Sequence, residues 1–342
     1  MSNKKSATGL AAGIGVAVGG LLVGAAALYT EVITSVVARR RSPFTDHIVA
    51  ATRGSVSIDP DIRDKANALR EIPMEQVAIR SRDGYVLRAR WYPAEGARRT
   101  VILAHGWHSA WNTDFSLSAP ILHERGCNLL LIDQRCHGES GGDLISYGIQ
   151  ERYDILSWLD YLEECHPGLP VYLCGISMGA ATVLMTAELP VAERVSGIIA
   201  DCGYSTPDEI VSLALRDALG GMTAPTLAAV NLNCKLRAGF TLKDASPVEA
   251  MAKNKEIPCL FIHGDEDDFV PVRMSLENYY ACQAPKEILL VHGAGHGLSF
   301  VVDPERYVSK IAEFFDAWDT RLPAPPPPAR KKGLFKKKAN QT

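Results

Sequence analysis

The chain has 342 residues, 47% hydrophobic and 22% charged, with a net charge of −3. These values are those of an ordinary globular protein and exclude a disordered or fibrous chain. Both ends are basic and the body between them is strongly acidic, which argues against nucleic acid as a substrate. The eight cysteines include no C-x-x-C pair and read as free thiols of a reducing compartment rather than a disulfide framework.

Residues 1–41 read as a membrane anchor with a basic flank. Gly9 to Tyr29 is 21 residues without a charge, roughly 31 Å as a helix, about one bilayer core. Gly15-x-x-x-Gly19 and Gly20-x-x-x-Gly24 offer close helix contacts in lipid. The competing assignment is a secretory signal cleaved near Ala25-Ala26-Ala27, but the apolar stretch outruns the usual core of such a signal. Arg39, Arg40 and Arg41 follow the stretch and favour a single-pass anchor with the following domain on the cytoplasmic side. Lys4 and Lys5 oppose that orientation. Residues 42–73 form a polar connector with a short helix.

The domain spans 74–320. Residues 76–80 and 85–92, around Asp83-Gly84, form a hairpin. Strands then alternate with helices: strand 100–105, helix 114–125, strand 128–133, helix 149–164, strand 170–174 and a helix after residue 179. Strand 197–201, strand 259–263, helix 272–282, strand 288–291 and helix 304–318 complete the series. That alternation predicts an α/β fold, with a mostly parallel central sheet covered by helices on both faces. About 205–248 the pattern is helical without strand signals and reads as a small lid. Residues 321–342 are a proline-rich spacer and a basic tail, a second candidate contact with anionic lipid.

The chemistry centres on Gly175-Ile176-Ser177-Met178-Gly179, a G-x-S-x-G sequence between a strand and a helix. Such a turn exposes a serine hydroxyl at a helix N-terminus, so Ser177 is the candidate nucleophile. A serine needs a base, and the base an orienting acid. Asp265, Glu266, Asp267 and Asp268 compete for the acid, with Asp265 and Asp267 foremost. The base is His296, between two glycines, in preference to His292 at a strand end. His263 is assigned to shaping its turn. The acidic run lacks the full ligand pattern of a calcium loop, and no histidine spacing matches a zinc site. Oxyanion donors are expected from the backbone N–H groups of Met178 and Trp107. The Trp107 indole, with Trp111, is a candidate wall of the acyl site.

With these motifs, His105-Gly106, and Asp133-Gln134-Arg135-Cys136-His137-Gly138-Glu139-Ser140, the chain resembles the α/β-hydrolase superfamily from Met74 to Trp318. It is most similar to membrane-anchored bacterial hydrolases of the serine-aminopeptidase-like and Bem46-like kind. Cys136 stands where that family usually has glycine. The resemblance implies an α/β-hydrolase fold, and it selects Asp267 through the H-G-x-x-D-x-x-V-P pattern and His296 through the G-x-H loop. The expected activity is acyl-ester hydrolysis through an acyl-enzyme, with no cofactor, no metal and no nucleic acid. The partners expected are a small acyl-ester or peptide substrate and membrane lipid. A serine peptidase taking short peptides and a non-catalytic membrane-tethered binding module are the alternatives.

Overall fold

The computed structural model describes residues 28–35, 37–40 and 60–321. The expected anchor at 9–29 therefore lies outside the described residues except for its last two positions, as do most of the connector and the tail. No helix among the described residues is long and apolar enough to cross a membrane.

Eight strands form one sheet. They are β1 (Glu75–Arg80), β2 (Val86–Tyr92), β3 (Arg99–Ala104), β4 (Cys127–Asp133), β5 (Val171–Ile176), β6 (Gly197–Asp201), β7 (Cys259–Gly264) and β8 (Lys286–Val291). Their order is β1-β2-β4-β3-β5-β6-β7-β8. The β1–β2 and β2–β4 pairings are antiparallel and all the others parallel. The central strands read as continuous apolar runs because both faces are covered. Along β3, Ile102 and Ala104 pack on one side with Trp158, Leu159 and Val183. Val101 and Leu103 pack on the other with Leu122, Ile311 and Phe314. Burying each such large side chain stabilises by about 1.5–3 kcal/mol.

The topology places the site. After β3 the chain steps outward to β4, then returns to the far side of β3 to form β5. At such a reversal two connections leave the sheet in opposite directions and open a crevice at the carboxyl ends of the strands. Ala104 pairs with Gly175 at that edge, so the segments following β3 and β5 lie side by side. The carboxyl ends of β6, β7 and β8 open on the same rim.

The helices are α1 (Pro60–Glu71), α2 (Trp111–Asp114), α3 (Ser118–Glu124), α4 (Glu151–Cys165), α5 (Met178–Thr186), α6 (Pro207–Leu219), α7 (Thr223–Ala238), α8 (Pro247–Lys253), α9 (Val272–Ala281), α10 (Ser299–Val302) and α11 (Pro304–Trp318). The single helix expected over 114–125 is instead split into α2 and α3. Pro120 has no N–H to donate to the Ser116 carbonyl and its ring clashes there, so the helix restarts with Pro120 in its first turn. The region expected as a lid holds α6 and α7, joined through the short turn Gly220–Met222.

A further helical stretch, over residues 28–35 and 37–38, lies along α7. Tyr29 pairs with the Thr226 hydroxyl at 2.7 Å, Asn233 donates to Thr34 at 2.8 Å, and Arg237 meets Glu31 at 2.6 Å. Its end is buried. The Val37 carbonyl accepts from the Trp107 indole at 2.9 Å and from the Tyr147 hydroxyl at 2.6 Å. The Ala38 carbonyl accepts from the Ile145 N–H at 2.5 Å. The segment thus straps α7 to the loops around the crevice.

Candidate active site

Ser177 is the last residue before α5 and sits at φ 57°, ψ −116°. A non-glycine residue held there stores about 1–3 kcal/mol. The surrounding backbone enforces it: the Ser177 N–H donates to the Asp201 carbonyl at 2.8 Å and the Ser177 carbonyl accepts from Ala181 at 3.1 Å. The turn also needs its two glycines. A Cβ at Gly175 would lie 2.2 Å from the Gly179 carbonyl carbon, and one at Gly179 would lie 1.9 Å from the Ala104 oxygen. Strand and helix approach more closely than any side chain permits.

Three of the expected residues come together at this turn. His296 Nε2 lies 3.0 Å from Ser177 Oγ, and His296 Nδ1 lies 2.7 Å from Asp267 Oδ2. A proton on Nδ1, donated to the carboxylate, leaves Nε2 free to accept from the serine. Asp267 is buried, and its Oδ1 accepts the N–H groups of Phe269 at 2.9 Å and Val270 at 2.8 Å. Burial alone would raise its pKa. The neighbouring His296 and His263 outweigh that and hold the carboxyl well below the usual carboxylate range.

His263 does more than shape its turn. Its Nε2 faces the Val270 carbonyl at 2.9 Å and also Asp267 Oδ2 at 3.1 Å, while Nδ1 meets Ser275 Oγ at 2.6 Å. A second imidazole thus braces the acid from behind. The rival pair separates cleanly. His292 Nδ1 bonds Asp265 Oδ2 at 2.8 Å, with the His292 side chain 93% exposed. These two residues engage each other on the surface, away from Ser177.

Beside the serine, Gly106 and Trp107 follow β3. The Gly106 N–H donates to Asp114 Oδ2 at 2.6 Å, and Ser109 Oγ donates to Asp114 Oδ1. Asp114 therefore fixes the loop that carries Trp107, a role its position in an expected helix did not signal. Trp107 lines the cavity while its indole N–H is committed to Val37. Trp111 is instead buried in the core, beneath the Arg90 guanidinium. Cys136, at the family's usual glycine position, keeps the left-handed backbone with φ 60°.

The cavity over Ser177 has a volume of about 80 Å³, with Leu117, Phe269, Phe300 and Val301 among its walls. Asp201, at the end of β6, also reaches it. Burial pushes this carboxyl up to about 6, against the lowering influence of His263 and of bonds from Tyr307 and Ser299. One group of potential metal donors occurs among the described residues, Cys202, Asp267 and His296, with donor atoms within 4.8 Å of one another. It does not suit a metal, because Asp267 and His296 are bonded to each other and burial keeps the Cys202 thiol protonated.

This sheet order, with a strained serine between strand and helix and a histidine–carboxylate pair on the following loops, defines the α/β-hydrolase class. The model of the alpha/beta hydrolase family matches residues 101–310. The chain belongs to that family. It is 31% identical over 248 residues to the uncharacterized protein YqkD of Bacillus subtilis, covering 71% of this chain and 80% of that one. It is also 31% identical over 160 residues to the monoglyceride lipase of Homo sapiens, 45% of this chain and 48% of the lipase. Among solved structures, the Pyrococcus furiosus esterase Pf2001 superposes with a TM-score of 0.57 at 23% identity, over 72% of this chain and 93% of the esterase. That likeness is one of fold.

Proposed function

We propose that the protein is a serine hydrolase of acyl esters. The observation that carries this is the unbroken hydrogen-bonded chain from Ser177 Oγ through His296 to Asp267. Ser177 Oγ attacks the ester carbonyl while His296 Nε2 takes its proton. Asp267 holds the imidazole tautomer and stabilises the imidazolium that forms. The backbone N–H groups of Met178, at the start of α5, and Trp107, across the crevice, receive the developing oxyanion. His296 then protonates the departing alcohol, and water activated by the same imidazole releases the acid. Two similarities support an ester over an amide: one relative is named a monoglyceride lipase and one structural neighbour an esterase. The small cavity favours short acyl groups. A chain-length series of aryl esters, run beside aminoacyl amides, tests the assignment. Ester turnover with inert amides is the expected result, and amide turnover would make the protein a peptidase. A fluorophosphonate should label the protein but not Ser177→Ala. Failure to label the unaltered protein would point to a non-catalytic module.

We further propose that residues 9–29 anchor this hydrolase in a membrane as a single pass, with the domain on the cytoplasmic side. The uncharged 21-residue stretch and the arginines that follow it support the proposal. So does the exposure of Leu28 and Val32 on the following segment and of Leu232 and Leu236 on α7. Protease added to intact spheroplasts is the test. Digestion of the domain without lysis would place it outside.

A further inference from the structure

Beside the catalytic cavity lies a second pocket of about 360 Å³, and the two share Ile62, Ser109 and Thr113 as lining. Three arginines line it, Arg40, Arg63 and Arg70, and no Asp or Glu is among its described lining residues. Arg63 and Arg70 are seven residues apart on α1, two turns, and so share one face. Ile62, Ala66 and Leu69, about a quarter turn round the helix, are buried, and Ile62 and Ala66 floor the same pocket. The buried Asn112 pins it by donating to the Ala66 carbonyl at 3.2 Å. Arg40 comes from the strap. It donates to the Gly138 carbonyl at 2.5 Å and to the Ser140 carbonyl. Those neutral acceptors orient its guanidinium without cancelling its charge.

The charges of the two pockets are opposite. Asp114 and Asp201 line the catalytic cavity, which therefore repels an anionic group, while the three arginines draw one next door. Their sizes differ in the same sense. The cavity over Ser177 accommodates a short neutral acyl group. The second pocket falls in the usual range for a ligand-sized site of about 300–1,000 Å³. Guanidinium groups pair bidentately with phosphate, and three of them suit a dianion better than a single carboxylate.

We propose that the substrate is a short-chain acyl ester whose alcohol part carries a phosphate group, held by Arg40, Arg63 and Arg70 while the acyl carbonyl sits at Ser177. This rests on the ester-hydrolase assignment above. The phosphate would set which end of the substrate enters the cavity.

The test uses a matched pair of esters, 1-butyrylglycerol 3-phosphate and 1-butyrylglycerol, with full-length protein at low ionic strength. The expected kcat/KM favours the phosphate ester by about tenfold or more, and in Arg63→Ala/Arg70→Ala that ratio falls to about one. Both residues are exposed, so the pair of substitutions leaves the core untouched. Calorimetry with Ser177→Ala provides a second readout, independent of turnover: glycerol 3-phosphate should bind, and more tightly than inorganic phosphate. A ratio near one in the unaltered protein, or the same ratio in the double variant, overturns the proposal. Inorganic phosphate binding as tightly as glycerol 3-phosphate, with no preference in kcat/KM, would make the pocket a site for a free anion and overturn it too. If the neutral ester is cleaved without preference, only this proposal fails. If neither ester is cleaved while glycerol 3-phosphate still binds Ser177→Ala, the ester-hydrolase assignment fails and the substrate proposal with it, leaving only an anion site.

Discussion

Replacing Asp267 by asparagine tests the site most directly. The Asp267 carboxylate accepts four hydrogen bonds, two from backbone N–H groups at Oδ1 and two facing imidazole nitrogens at Oδ2. In Asp267→Asn the amide oxygen should stay with Phe269 and Val270, because those two donors are fixed in the turn. The amide N–H₂ then points at His263 and His296, a donor facing donors. His296 restores the bond only by moving its proton to Nε2, and that tautomer cannot take the proton of Ser177. The expected loss in kcat is about 10³ to 10⁴, equivalent to about 4–5.5 kcal/mol of transition-state stabilisation. Asp265→Asn is the comparator. Its carboxylate bonds the exposed His292 and the Gly293 N–H at the surface, so kcat should change by less than about threefold, as for other surface substitutions. Initial rates on one aryl ester, with circular dichroism to verify folding, decide the matter. A folded Asp267→Asn that keeps more than a tenth of the activity would refute the reasoning. So would an Asp265→Asn that ranks below it.

Gly179→Ala should cost about 3 kcal/mol or more in urea-unfolding stability, because its Cβ would meet the Ala104 backbone rather than a side chain that could turn aside; a fall below 1 kcal/mol would show that strand and helix can separate. Asp201→Asn should raise stability at neutral pH. Burial raises the folded-state pKa of Asp201 to about 6 from the ordinary 3.8, so its ionised form opposes folding by at most about 3 kcal/mol. That penalty is absent below the unfolded pKa and develops as pH rises through the folded one. Melting temperatures of both proteins should therefore coincide near pH 3.5 and diverge by pH 7.5, and equal values at both would refute the shift. Deleting residues 1–40 should destabilise the protein by about 2–4 kcal/mol and lower turnover of a soluble ester, since the donors on Trp107 and Tyr147 lose the Val37 carbonyl. Deleting residues 1–27 should do neither, and equal behaviour of the two truncations would exclude a role for the strap.

Ser177, Asp267 and His296 were legible because the chemistry forces local signatures. A serine exposed on a sharp turn requires small residues on either side, and those glycines are visible in any sequence. The strands were legible from uninterrupted apolar runs. Choosing Asp267 among four neighbouring acids required the family pattern, since spacing alone left Asp265 open. The structure separates them by direction: Asp267 turns inward to two imidazoles and Asp265 outward to His292. Three features were not legible. Asp114 acts on Gly106 from eight residues away across the loop that leads into α2, and periodicity does not encode the path of such a loop. Asp201 sits at the end of an apolar strand, where one charge reads as the strand's edge. The second bond of His263 depends on how the turn over residues 264–270 folds back, which no short motif encodes.

The strap changes what counts as the functional unit. By composition, the segment before residue 42 belongs with the anchor and the globular domain starts near residue 74. Energetically, residues 28–40 belong with the catalytic body. They bury Val37 and Ala38, supply carbonyls to Trp107, Tyr147 and Ile145, and place Arg40 in the second pocket. The same segment holds the lid helix through Tyr29, Thr34 and Glu31. Any displacement of residue 37 is therefore felt at the Trp107 loop, and any movement of α7 pulls on residue 37. A chain tethered at residues 9–29 would transmit force from its anchor to both elements, because Tyr29 is bonded directly to Thr226 of α7. In such a tethered chain, substrate access and membrane attachment would be mechanically coupled through this segment, and a form made by cutting at residue 41 would lose the brace on the Trp107 loop together with one of the three arginines.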